Sequence, residues 1–95
     1  MALNTVTQTE ELIQAIVHLS HGEIYASEVS VIIDFEFNQV IISTSGVSQM
    51  LPADELHRRD PRTRVPLYTY MLHELVRGAM HPVIVKTRKM ARQER

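Results

Sequence analysis

The chain has 95 residues, room for one small domain, which argues against a multidomain machine or a large cofactor-binding enzyme. Apolar residues make up 44% and charged residues 22%, an ordinary globular balance, and no apolar run approaches the roughly 20 residues of a membrane span, so a soluble folded protein is expected. There is no cysteine, which excludes disulfide frameworks, thiolate zinc sites, iron–sulfur clusters and a cysteine nucleophile; residues 1–11 also lack the layout of a secretory signal, and a cytoplasmic location is expected.

The first predicted element is a helix over residues 8–20. Thr7 and Glu10 have the spacing of a capping box, and Glu10 and Glu11 fall where a helix dipole favours acids. Leu12, Ile13, Ile16, Val17 and Leu19 recur at helical spacing, so one face should cover a sheet, and Gly22 offers the left-handed residue that closes a helix. Residues 23–27 fit either a separate short strand or an extension of the next one.

From residue 28 to residue 44 the period changes to two. Val29, Val31, Ile33, Phe35 and Phe37 alternate with other residues in a run rich in β-branched and aromatic side chains, which reads as strand. With Asn38 and Gln39 as a two-residue turn, Phe37 would face Val40, Phe35 would face Ile42 and Ile33 would face Thr44. Gln is a poor substitute for Gly in such a turn, which leaves room for a longer one.

Residues 44–49 are small and polar enough for a loop. Residues 52–56 read as a helix of one or two turns, with proline tolerated at its start and acids near its positive end. Residues 57–64 contain no apolar side chain and should be exposed. Pro66 opens a second long helix ending near residues 78–80, before Pro82. Leu67, Tyr68, Tyr70, Met71, Leu72, Leu75, Val76 and Ala79 cover most of its circumference, so it must be covered on more than one side. Either the first helix or a homodimer through Leu67, Tyr70, Met71 and Leu75 would supply that cover. Val83, Ile84 and Val85 suggest a final strand over residues 82–86, able to bring Lys86 and Arg88 near Asp34 or Glu36. The predicted fold is thus a single α+β domain over residues 1–86, with helices on one face of a small antiparallel sheet, followed by a basic, flexible tail over residues 87–95.

The functional signals are weaker. Residues 1–57 carry a formal charge of minus eight and no Lys or Arg; residues 58–95 hold all ten basic side chains and carry plus seven. Such asymmetry favours a partner of opposite sign, although the two halves could also neutralise each other within the fold. The partner-binding candidates are Arg58, Arg59, Arg62 and Arg64 in the exposed segment and Lys86, Arg88, Lys89 and Arg92 in the tail, where flexible cations suit phosphates or an acidic protein. No aromatic residues are interleaved with them, and no helix-turn-helix, RNA-recognition or zinc-finger signature is present.

Catalytic signatures are missing. His18 and His21 stand three apart but make only two ligands, and His73-Glu74 opens an HExxH motif that fails at Arg77, so no metal is assigned. The three glycines form neither a P-loop nor a dinucleotide fingerprint, and the serines lack a nucleophile elbow, so no cofactor and no catalytic residue are assigned. The expectation is a small non-enzymatic regulatory or adaptor protein that self-associates and binds a macromolecular partner. The alternatives are a nucleic-acid-binding module using the basic half and, third, a small metal-dependent enzyme.

Overall fold

A computed structural model of the protein describes residues 5–93. Helix α1 spans Thr5–Leu19, strands β1, β2 and β3 span Val29–Asp34, Gln39–Thr44 and Val47–Leu51, and helices α2 and α3 span Thr69–Ala79 and Pro82–Gln93. Short 3₁₀ turns occupy Ala26–Glu28 and Ala53–His57. The strands form an antiparallel meander in the order β1-β2-β3 with the helices against it, the α+β class read from the sequence.

Helix α1 starts three residues before its predicted beginning, so Thr7 lies inside it and caps nothing, and Glu10 and Glu11 sit in its second turn. Its other end closes differently too. His21, at φ 55°, takes the left-handed position, with its N–H on the His18 carbonyl and the Gly22 N–H on the Val17 carbonyl, each at 3.0 Å. That pair of bonds is a Schellman closure, with Gly22 one residue beyond its expected place. The buried Ser20 hydroxyl donates to the Val17 carbonyl and accepts the Ile24 N–H, which turns the chain and drops Ile24 into the core. Residues 23–27 are therefore neither a strand nor an extension of β1.

The first hairpin forms in a different register from the expected one. Ile33 pairs with Val40, Val31 with Ile42 and Val29 with Thr44, a shift of four residues. An even shift preserves the faces, so the same alternate residues of each strand still point at the helices. Phe35 and Phe37, however, fall in a four-residue turn and are exposed rather than gathered on the core face. The Asp34 carboxylate accepts the Phe37 N–H at 3.2 Å and Asn38 takes φ 51°, so Asp and Asn supply the turn chemistry that Gln39 could not.

Residues 44–49 are not a loop. Ser45 and Gly46, with φ of 54° and 80°, make the two-residue turn with two positive φ values that joins antiparallel strands tightly, and Val47 opens β3. Beyond β3 the 3₁₀ turn matches the predicted short helix, and residues 58–66 form a closed loop. Arg59 bridges to Pro66, and the Leu67 N–H reaches the Arg58 carbonyl at 3.0 Å. Residues 66–67 are committed to that bridge, so α2 begins at Thr69 instead of at Pro66.

The last element departs furthest from expectation. Residues 82–86 are the start of α3 and not a strand, and residues 87–93 continue the helix instead of forming a loose tail. Pro82 suits the first helical position, and the His81 Nδ1 accepts the Val83 N–H at 3.2 Å as an N-cap side chain does. The core lies between the helices and one sheet face: Leu12 and Ile16 of α1, Val40 and Ile42 of β2, and Leu72, Leu75, Val76 and Ala79 of α2, closed by Ile24, Leu51, Ala53 and Leu56.

Candidate functional site

The two basic segments lie at opposite ends of the sheet. Arg58–Arg64 follows the end of β3 at Leu51, whereas α3 reaches the Ser45–Gly46 turn through Arg88. Five strand residues separate those ends, about 17 Å. Lys86 and Arg88 are correspondingly far from Asp34 and Glu36, which sit at the first hairpin turn.

The segments also differ in what their cations do. In the loop, Asp60 organises the backbone: its carboxylate accepts the Arg62 and Thr63 N–H groups at 2.8 and 3.1 Å, and these bonds, the Thr63 one foremost, hold its pKa below the usual value. Arg64 adopts φ 66°. The side chain of Arg58 pairs with Glu55 and Arg59 donates to the Arg64 carbonyl, while Arg62 and Arg64 are exposed. On α3, Lys86 and Lys89 point to solvent. Arg88 is buried and donates to the Ser45 hydroxyl at 3.1 Å and the Ala79 carbonyl at 3.0 Å. Arg92 lies 3.7 Å over the Tyr25 ring, donates to both Glu28 carboxylate oxygens at 2.6 and 2.9 Å, and reaches the Glu23 carbonyl at 2.7 Å. These contacts lower the Glu28 pKa, the Arg92 hydrogen bonds foremost. Among the described residues this is the one ion pair joining the acidic and basic halves over a long sequence distance; the others, Arg58–Glu55 and Arg77–Glu74, are local.

The wide apolar arc of α2 is largely covered inside the chain. Leu72, Leu75, Val76 and Ala79 are in the core, Leu67, Tyr68 and Met71 are half-buried, and Tyr70 is 79% exposed. Of the four residues expected at a dimer contact, Leu75 therefore points inward, and Tyr70 is the one that faces solvent fully.

Sequence reading overlooked a different apolar surface. On the sheet face away from the helices, Ile32, Ile41 and Met50 stand directly opposite one another across all three strands, and Ser30, Ser43 and Ser48 form the parallel row beside them. Ile32 is 56% exposed and Met50 62%. Phe37, 71% exposed, shares a shallow cleft with Met50 and Pro52, which extends the apolar row past the hairpin turn. The one charge on this face is Asp34, whose carboxylate is engaged by the Phe37 N–H. The signal was present in the sequence as the alternate residues of β1, but Met50 could be placed only once β3 was known to be a strand.

No three His, Asp or Glu side chains converge among the described residues. His73, Glu74 and Arg77 form an exposed stripe, with an Arg77–Glu74 contact of 3.3 Å. A cleft of about 220 Å³ does bring Gln8, Glu11, His57, Arg59 and Tyr68 together between α1 and the loop. Burial, and then the charge of Glu11, push the Tyr68 phenol above its ordinary pKa, so it stays a protonated hydroxyl. No helix among the described residues is long and apolar enough to cross a membrane.

Fold and surfaces together define a small α+β domain with an uncovered, mostly uncharged sheet face. Comparison with known proteins found no matching family model, no matching curated protein and no matching solved structure.

Proposed function

We propose that the protein is a small non-enzymatic regulatory or adaptor protein of the cytoplasm that self-associates and binds a macromolecular partner. The observation that carries the self-association is the row Ile32–Ile41–Met50 across a sheet face that no described helix covers. The occupant favoured for that face is a second copy of the chain. A two-fold axis along β2 lays Ile41 on Ile41 and Ile32 on Met50, apolar on apolar, in the face-to-face packing that sheets adopt. A partner with charged groups there would lose their hydration with little to replace it, since Asp34 is already engaged. Three strands of about five residues give a footprint on the order of 250 Å², well below the roughly 800 Å² per partner of a standard interface. Phe37 adds to it, and the expected dimer is weak and concentration-dependent.

The test is light scattering over a wide concentration range on the wild type and on an Ile32→Thr, Met50→Thr double variant. Wild-type mass rising toward twice the monomer, with a monomeric and fully folded variant, supports the reading. A wild type that stays monomeric, or a variant that dimerises equally well, overturns it. The Tyr70 side of α2 is the competing contact, and Tyr70→Ala distinguishes the two. The nucleic-acid reading loses Arg88 and Arg92, which are engaged within the fold, and keeps exposed Lys86 and Lys89 of α3 and, foremost, the four loop arginines Arg58, Arg59, Arg62 and Arg64. Salt-sensitive binding to mixed DNA or RNA that falls when these four are changed to Ala favours it, and no binding at low salt removes it.

A further inference from the structure

Arg88 is only 5% exposed, and no carboxylate lies within ion-pair distance of it among the described residues. Its two Nη1 protons go to the Ser45 hydroxyl and the Ala79 carbonyl, and one Nη2 proton faces the Met80 sulfur at 3.6 Å. The Nε–H and the second Nη2–H have no protein acceptor among the described residues. A guanidinium can use all five donors, and a buried cation is strongly disfavoured without an anion to answer it. The Ala79 carbonyl, at the negative end of α2, answers part of that charge and fixes the plane of the guanidinium.

The same side chain lines a cavity of about 290 Å³ between α3 and the second hairpin turn. Its one carboxylate, Glu28, feels the charge of Arg88 without touching it and already takes two hydrogen bonds from Arg92 and one from the Tyr25 N–H, so the formal charge of the lining is plus one. Ser45 and Thr87 place hydroxyls on the wall, although the Thr87 hydroxyl donates to the Val83 carbonyl and has only its acceptor side free. Ile84 and Ala91 make the remainder apolar.

We propose that this cavity binds a small organic carboxylate, with its oxygens on the free Nε–H and Nη2–H of Arg88 and a short apolar body against Ile84 and Ala91. The parallel donors of a guanidinium match a carboxylate in two-point contact, and the volume, at the lower end of ligand pockets, suits a chain of a few carbons. The site lies beside the second hairpin turn, on residues that the self-association reading does not use, so either can fail alone.

Hexanoate is the probe, titrated into isotope-labelled protein and followed by the amide signals of Ser45, Thr87 and Ala91 and the Nε–H signal of Arg88. Hexylamine, with the same body and opposite charge, and inorganic phosphate, an oxyanion without the body, are the comparison arms. Saturable shifts with hexanoate, at least about tenfold weaker with either comparison compound and in Arg88→Lys, are expected. Because Arg88→Lys disturbs a buried contact, Ala91→Leu provides a second variant at an exposed position: it should fill the cavity, abolish the shifts and leave the folded spectrum intact. No saturable shift with hexanoate would mean that Arg88 only caps α2. Equal binding of hexylamine overturns the anion site, equal binding of phosphate overturns the carboxylate, and undiminished binding by folded Ala91→Leu overturns the location.

Discussion

The two faces of the sheet are built from similar side chains and have opposite fates. On one, Val40 and Ile42 of the central strand are fully buried under α1 and α2; on the other, Ile32 and Met50 of the two flanking strands remain more than half exposed and Ile41 between them is half-buried. Apolar content alone does not say which face a small sheet will cover. The covered face is the one on which the helices could place Leu12, Ile16, Leu72 and Leu75, and the other keeps its apolar row because each side chain is flanked by small serines. The exposed row contributes cross-strand contacts to the sheet but buries little of its own surface, and the proposed self-association would cover it.

That difference can be broken by mutation. Ile42→Ala, on the covered face, should lower unfolding free energy by about 2–5 kcal/mol, whereas Ile32→Thr, one strand away on the open face, should stay within about 0.5 kcal/mol. Urea unfolding of both at low protein concentration checks this, and comparable losses would mean that the open face is covered in the folded monomer.

Next in size is the turn that lets β3 complete both faces. Gly46→Ala places a Cβ in open space at φ 80°, so its cost is conformational only, about 1–2 kcal/mol. Its unfolding midpoint should fall without a change in the denaturant slope; an unchanged midpoint would show that the turn relaxes to another geometry.

The smallest effect concerns the Glu28–Arg92 clasp that ties α3 to the residues before β1. The folded pKa of Glu28 lies below its ordinary value of about 4.5, so the carboxylate stabilises the native state above that pH. The contribution is lost as pH falls through the lower folded value. Removing it by Glu28→Gln should cost up to about 1 kcal/mol at neutral pH, with the two proteins converging as pH falls below the folded value. Curves that stay parallel across that range would assign the acid sensitivity elsewhere.

Much of the architecture is legible along the chain, and the failures have physical causes. The helical spacing of Leu12, Ile16 and Leu19 and the alternation from Val29 to Ile33 locate α1 and β1, because each buries one face and writes a period into the sequence. Strand β3 does not: Gln49 lies half-buried on the helix side while Met50 faces out, which inverts the usual pattern. The triplet Val83-Ile84-Val85 has strand composition, yet Pro82, the His81 cap and the good helix formers among residues 86–93 favour α3, and the sheet offers it no pairing. Of the basic candidates, Lys86, Arg62 and Arg64 are exposed as composition suggests, whereas the burial of Arg88 and the clasp of Arg92 depend on contacts 43 and 64 residues away.

The sequence by itself determined the α+β class, the two long helices at the start and middle of the chain, and the faces of β1 and β2, since these follow from local periodicity and survive a shifted register. Only the tertiary structure decided that the sheet has a third strand, that the basic tail is a docked helix, that α2 is covered from within, and that one apolar row is left in solvent. Each of those depends on which distant groups meet, and one-dimensional spacing does not encode that.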